Sequence, residues 1–300
     1  MKKPTGTEKF NLYFNEVYKE RWPNLKEAMC QPEKQVVRFC FNSLELEENK
    51  KFQPHEIEWL KNCIWYDSKV HFGLNNQLSQ QAKRTSYILN PASIIAASSL
   101  KIEPSDKVLD MCAAPGGKTL ILAESLTTDG ELWANEISMN RRVNLTQVIR
   151  SYIPNILRNK VFTKGKDGLQ YGIKHPGEFD KILIDAPCSG ERHLLKRDDH
   201  ISKWSPKRTK RLSSIQYGLL CSGLLSLKPG GSIVYSTCSI SPYENDDVIQ
   251  KLLDKKGSQF ELDLPESPTP FAEKTKYGFM HLPDKCGFGP IYFTRLKKKS

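Results

Sequence analysis

The stretch "KVLDMCAAPGGKT", residues 107–119, takes a short apolar run into small residues and a pair of glycines, and helix-forming residues follow from Gly117. It reads as a strand entering a helix through a turn where backbone can come close to whatever lies above it. The same rhythm continues downstream. "GELWANE", "NKVFT", "FDKILIDAP" and "GSIVYST" are short β-branched runs, most of them separated by helix-length segments such as "SMNRRVNLTQVIRSY" and "TKRLSSIQYGLLCSGLLSL". Strands alternating with helices predict an α/β fold, a mostly parallel sheet with helices on both faces. A last run, "GPIYFTRLKKK", supplies a late strand expected at or near the sheet edge.

Upstream of residue 90 the chain is polar and aromatic. In "EKFNLYFNEVYKERWPNLKEAM", Phe10, Tyr13, Phe14, Val17 and Tyr18 recur at spacings of three and four, the period of an amphipathic helix. "LNPAS" then announces another helix, with Asn90 as N-cap and Pro91 at the first helical position. The division expected is a mainly helical extension over 1–90 and a catalytic domain over 91–300.

Of 300 residues, 38% are hydrophobic, enough for a sizeable core, and 45 basic against 34 acidic residues leave a formal charge of +11. That excess favours a polyanionic partner. The start, "MKKPTGTEKFNLYF", has no apolar core of a secretory leader, and no run of 18 apolar residues occurs, so no membrane span is expected. The eight cysteines form no CxxC pair and no zinc-like spacing with His, so no metal is expected. A reduced, cytoplasmic monomer fits best, with a mitochondrial setting open to a eukaryotic protein lacking its targeting segment.

In an open α/β sheet, ligands bind beyond the carboxyl ends of the strands. The turn after residue 111 is neither GxGxxG nor GxxxxGK[ST], so a phosphate reading loses ground. Asp110 is placed to anchor a charged amino-acid moiety. Glu136, 26 residues further on, ends the second strand and can accept from ribose hydroxyls, and Asp167 follows the third and can accept from an exocyclic amine. Singly, each acid is more often a cap or a turn residue. Three at the tops of consecutive strands favour an adenosine-containing cofactor without pyrophosphate, S-adenosylmethionine foremost.

"FDKILIDAPCSG" brings Asp185 and Cys188 to the top of the next strand, and "GSIVYSTCS" brings Cys238 to the top of the one after. A thiolate near Lys118 or a helix N-terminus has its pKa lowered and becomes a usable nucleophile. Free cysteines usually just pack, and Cys30, Cys40, Cys63, Cys221 and Cys286 are read that way.

The motifs "CAAPGGKT", "DAPCSG" and "YSTCS", in this order, resemble the Nol/Nop/Sun-domain RNA cytosine-5 methyltransferases over about residues 85–300. "NLYFNEVYKERWPNLKEAM", "LNPASIIA", the "ERH" after "PCSG" and "FGPIYFTRL" are similar to that family's mitochondrial small-subunit rRNA branch. The resemblance implies a Rossmann-like class I fold with a seven-stranded sheet, S-adenosyl-L-methionine as cofactor, and 5-methylcytosine as product. It implies that Cys238 attacks cytosine carbon 6, that Cys188 resolves the adduct, that Asp185 hydrogen-bonds ring nitrogen 3, and that Lys118 stands near the base. Cys112, Ala113, Ala114, Pro115, Gly116, Gly117, Lys118, Glu136, Arg141, Asp167, Gly168 and Asp185 match cofactor positions. Glu136 stands where Asp is common in the family, and "SGERH" replaces a more usual glycine-rich continuation.

For RNA, the segment after Cys188 offers Arg192, His193, Lys196, Arg197, Lys203, Trp204, Lys207, Arg208, Lys210 and Arg211, and the tail adds Arg295 and Lys297 to Lys299. Cations grip phosphate and an aromatic can stack on an unpaired base, with residues 1–90 assisting. A solvated charged face is the competing reading for each residue. Ribosomal RNA is the expected substrate and transfer RNA the alternative. Two further readings stand beside these: a DNA cytosine-5 methyltransferase, which would take Cys188 as nucleophile, and a non-catalytic RNA-binding assembly factor.

Overall fold

Alternation in the strands decides which side chains meet which layer. In the computed structural model, which describes residues 5–41, 57–67, 83–202, 204–264 and 267–300, the central sheet runs through β4 (Lys107–Asp110), β5 (Glu131–Asn135), β6 (Val161–Lys164), β7 (Phe179–Asp185) and β8 (Leu227–Thr237). Successive residues point to opposite faces. Val108, Leu183 and Val234 join one core, while Leu109, Ile182, Ile184, Ile233 and Tyr235 join the other.

The strand order is β10-β11-β12-β8-β7-β4-β5-β6, with β9 (Phe260–Leu262) pairing on β12. The pairs β4–β5, β5–β6, β4–β7 and β7–β8 are parallel. β12 (Ile291–Lys298) runs antiparallel to β8 and to β11 (Phe279–His281). Eight strands form that path and β9 pairs beside it on β12, so the sheet has nine strands among the described residues rather than the seven expected, the short β9 and β10 (Glu273–Lys274) being the additions. The late strand is therefore interior rather than an edge. Its residues from Ile291 to Leu296 are all buried, as flanking by β8 and β11 requires.

Helix α3 (Pro91–Ser98) starts as its sequence dictates, with Asn90 Oδ1 accepting from the Ala92 N–H at 2.9 Å. It packs with α4 (Gly117–Glu124) and α5 (Met139–Tyr152) on one face of the sheet. α6 (Glu191–Leu195), α7 (Pro206–Ser226) and α8 (Asp246–Lys256) lie on the other. The extension joins both. α1 (Gly6–Tyr18) and α2 (Trp22–Cys30) put Phe10, Phe14, Trp22, Leu25 and Met29 into the core under α7 and β8. After them comes a three-stranded antiparallel sheet that the helical periodicity did not announce: β1 (Val36–Phe39) between β2 (Cys63–Trp65) and β3 (Ser86–Leu89). Val36, Cys63 and Leu89 from it pack into the core of the opposite face. Cys40, Cys63 and Cys286 are buried as packing residues and Cys221 is half-buried, whereas Cys30 is exposed.

Candidate active site

The tops of five parallel strands converge on one rim. Asn135, at the end of β5, fastens three of them. Its side-chain amide donates to the carbonyls of Met111 at 3.0 Å and Lys166 at 2.9 Å, and its Oδ1 accepts from the Lys166 N–H at 2.9 Å. Nothing local in the sequence distinguished this asparagine. Its value lies in joining the ends of β4, β5 and β6.

At the β4 end, the glycine turn works largely through its backbone. Gly116 has φ +122°, and a Cβ there would fall 2.9 Å from Val148 of α5, so only glycine fits both the conformation and the helix packing. Cys112, Ala114, Glu136, Arg141, Asp167, Gly168, Asp185, Cys188 and Cys238 line one cavity of about 360 Å3, together with Ile137, Leu169, Ile215 and Leu219. A second cavity, of about 210 Å3, shares Cys112, Ala114 and Asp185 and adds Ala113, Pro115, Gly117, Lys118, Asp110, Ser93 and Tyr87. Gly116 lines neither, and its contribution is the turn.

The acids of the rim are each held by close neighbours. Glu136 is buried, accepts from the Ser138 N–H at 2.9 Å, and pairs with Arg141 at 3.0 Å. Arg141 in turn donates to the Ala114 carbonyl at 2.7 Å, tying the glycine turn to the end of β5. Asp167 caps a short turn through the Leu169 N–H at 3.0 Å. Asp110 is fully buried, with the Thr119 hydroxyl on Oδ2 at 2.7 Å. Burial outweighs that bond and pushes its carboxyl up to about 7.

At the β7–β8 end the two thiols meet. Cys188 Sγ and Cys238 Sγ stand 2.8 Å apart. Gly190 sits beside them in a left-handed conformation at φ +61° that favours glycine, although a Cβ there would make only an ordinary 3.9 Å contact with the Cys238 sulfur. Asp185 lies across the same cavity, gripped by the Lys118 ammonium at 2.8 Å and the Ser236 hydroxyl at 2.8 Å, while Lys118 also donates to Ser93 at 3.1 Å. Burial disfavours the Lys118 charge, but Asp185 outweighs it and holds the ammonium above the ordinary lysine value. The contact with Cys238 and burial push the Cys188 thiol well up. Ser93 and Ser236, which hold the Lys118–Asp185 pair, were invisible as isolated serines in the sequence.

The basic segment divides. His193, Lys196, Arg197, Lys207, Arg208, Lys210 and Arg211 are exposed. Lys203 lies outside the described residues. Trp204 is not a stacking platform: it is 2% exposed, edge-on to Phe10 at 5.2 Å between ring centroids and 5.6 Å from Tyr13. An indole beside an apolar helix is better buried than solvated. Arg192 is also not free for phosphate. It is 3% exposed and paired with Glu33 at 2.8 Å. Arg295 is buried on β12, bound to Asp263 at 2.7 Å and to the Ser99 carbonyl at 2.8 Å. Among the described residues no helix is long and apolar enough to cross a membrane, and no group of three or more His, Cys, Asp or Glu side chains is set to hold a metal.

Comparison with known proteins agrees with this architecture. A mitochondrial tRNA (cytosine(34)-C(5))-methyltransferase of Danio rerio is 36% identical over 225 residues, 71% of this chain and 60% of that protein. The 5-cytosine rRNA methyltransferase NSUN4 of Bos taurus is 34% identical over 226 residues, 70% of this chain and 59% of that protein. The match thus spans about 60% of the length of these relatives. A methyltransferase homolog protein from Pyrococcus horikoshii superimposes with a TM-score of 0.72 at 26% identity, covering 95% of this chain and 93% of that one. NSun6 from Pyrococcus horikoshii, solved with SFG, shares the fold with a TM-score of 0.77 at 17% identity over 98% of both chains. The family model described as 16S rRNA methyltransferase RsmB/F matches residues 97–297, a span that holds the central sheet but for the last residue of β12 and both rim cysteines, and the chain belongs to that family.

Proposed function

We propose that this chain methylates carbon 5 of cytosine in RNA, using S-adenosyl-L-methionine and a covalent adduct to Cys238. The observation that carries the reading is the meeting of Cys188 and Cys238 in one cavity with Asp185, beside Lys118.

The cavity suits the cofactor on its own residues. Glu136 could offer carboxylate oxygens to ribose hydroxyls, Asp167 could accept from an exocyclic amine, and Ile137, Leu169 and Leu219 would supply apolar walls for a purine. The turn of residues 112–118, with Asp110 beneath it, is left for the amino-acid end. When bound, S-adenosylmethionine supplies an electrophilic methyl group.

Carbon 5 of cytosine is a poor nucleophile until carbon 6 is attacked. The Cys238 thiolate adds to carbon 6, and the electrons of the 5,6 double bond move to carbon 5. Asp185, oriented by Lys118 and Ser236, holds a proton against ring nitrogen 3, and that proton offsets the negative charge the ring gains as the adduct forms. After methylation carbon 5 still bears its proton. Cys188, once its own proton has passed to solvent, takes the carbon 5 proton as a thiolate; the double bond re-forms and Cys238 leaves as the thiolate that began the cycle.

His193, Lys196, Arg197, Lys207 and Arg208 are exposed beside the thiol end and suited to phosphate, and the extension over 1–90 assists. A base within a helix would have to be extruded, which favours a loop or a single strand. Ribosomal RNA is the substrate favoured by the motif resemblance and by the name of the Bos taurus relative. The Danio rerio relative, at 36% identity, favours transfer RNA. Both relatives bear mitochondrial or ribosomal descriptions rather than DNA ones. Bisulfite sequencing of ribosomal and transfer RNA from cells with and without the gene decides the substrate. Radiolabelled methyl transfer decides the chemistry: Cys238→Ala should abolish it and Cys188→Ala should accumulate a denaturant-resistant protein–RNA adduct. The opposite assignment would restore Cys188 as the nucleophile.

A further inference from the structure

Each rim cysteine is followed by a serine, and both serines bind the same buried carboxylate. Ser189 donates its N–H to Glu244 Oε2 at 3.0 Å and its hydroxyl to Oε1. Ser239 Oγ lies 3.2 Å from Glu244 Oε1 and 3.0 Å from Glu191 Oε1. Gln216 of α7 donates to Glu244 Oε2 at 2.8 Å, and the Ile240 N–H donates to Glu191 Oε2 at 3.1 Å. Glu191, Glu244, Ser239 and Gln216 are all fully buried.

Counting hydrogens decides the charge state. A hydroxyl has one hydrogen and two lone pairs. Ser239 Oγ already accepts from the Ser241 N–H at 3.1 Å and faces two carboxyl oxygens. With both carboxyls ionised, one of those contacts would lack a hydrogen in a site closed to water, which is costly. One proton on Glu191 completes the set: Glu191 donates to Ser239, and Ser239 donates to Glu244. Glu244 is then the ionised member, because the donors from Ser189 and Gln216 converge on it. Burial pushes both carboxyls up, in keeping with a pair that retains a proton.

We propose that Glu191, Ser239 and Glu244 form a buried one-proton clamp that positions the two cysteines and leaves a single negative charge beneath Cys188, keeping the two thiols unequal. This rests on the reading of Cys238 as the attacking thiol. The Glu244 charge adds to the influences that push the Cys188 thiol up, while the Lys118 ammonium interacts with Cys238 from the other side. None of the three lines the cavity, so all are positioning residues. The titratable groups facing the pair are Tyr13 and Tyr18 of α1, Cys188, and Tyr235 of β8, each held protonated by its surroundings.

The isosteric variants separate this clamp from mere packing. In Glu191→Gln the amide can still donate to Ser239 and accept from Ile240, imitating the protonated carboxyl. A loss of about threefold in kcat is expected, with the alkaline fall of the wild type moved to higher pH. Glu244→Gln sets an amide NH2 among converging donors and removes the charge. Its kcat should fall about 30-fold with KM for S-adenosylmethionine within about twofold. In the protein alone, iodoacetamide labelling read by peptide mass spectrometry should favour Cys238 over Cys188, and Glu244→Gln should cut that preference about fivefold. If Glu244→Gln does not fold, Ser239→Ala breaks the bridge with little change in volume and should give the same labelling shift. Equal losses in both glutamine variants, a more damaging Glu191→Gln, or an unaltered labelling ratio would overturn the clamp. A wild type that methylates no RNA would sink the function reading, while the labelling ratio would still decide the clamp.

Discussion

The two ends of the rim are built on different principles. Where β4, β5 and β6 finish, the candidate cofactor side chains are anchored largely to main chain: Glu136 to the Ser138 N–H, Asp167 to the Leu169 N–H, and Arg141 to the Ala114 carbonyl. Where β7 and β8 finish, side chain binds side chain in a site shut off from water, with Glu244 holding both Ser189 and Ser239. Such anchoring still leaves lone pairs on the carboxylates for a ligand that must come and go. A buried network fixes sulfur atoms whose separation matters. The Lys118–Asp185 pair, 2.8 Å across, joins the two ends.

That contrast can be broken most severely from beneath the thiol end. Phe14 is fully buried against Trp22 and Trp204, and Phe14→Ala should cost about 3–5 kcal/mol, read as a lower denaturation midpoint. A change below 1 kcal/mol would mean that α1 does not share the core of β7 and β8. At the other end, Glu136→Ala should raise KM for S-adenosylmethionine about tenfold with a smaller effect on kcat. A fall confined to kcat would place Glu136 with the chemistry instead. Asp110 tests the junction through pH. Its carboxyl goes from an ordinary 3.8 to about 7 on folding, so its contribution to stability is whole below the first value and lost as pH rises to the second. The melting temperature of Asp110→Asn should therefore gain on the wild type over that interval and hold level above it. The smallest effect belongs to the exposed cations. Replacing Lys207 and Arg208 with alanine should lower the salt slope of RNA binding by about 1 per residue, whereas the buried Arg192 should not behave as a phosphate contact.

Much of the rim could be read before any coordinates. The β-branched runs, the Asn90–Pro91 start of α3, the glycine turn and the two cysteines at strand exits all carry their signal within a few residues. What escaped depends on distant partners. The extension's β1–β3 sheet is antiparallel pairing between segments far apart in the chain, and β12 became interior only because β11 and β10 fold back beside it. Trp204 and Arg192 sat among solubilising charges, yet Phe10 and Glu33, more than 150 residues away, drew them inside. Asn135, Ser93, Ser236 and the two glutamates were likewise ordinary polar residues until folding set them against their partners.

Sequence alone determined the alternating architecture, the family motifs and the identity of the two sulfur-bearing positions, because side-chain period and turn chemistry act over a few residues. Tertiary structure decided which cations face solvent, which carboxyls share a proton, and how near the thiols stand. Those depend on burial and on hydrogen-bond partners brought together across the sheet, which no local pattern encodes.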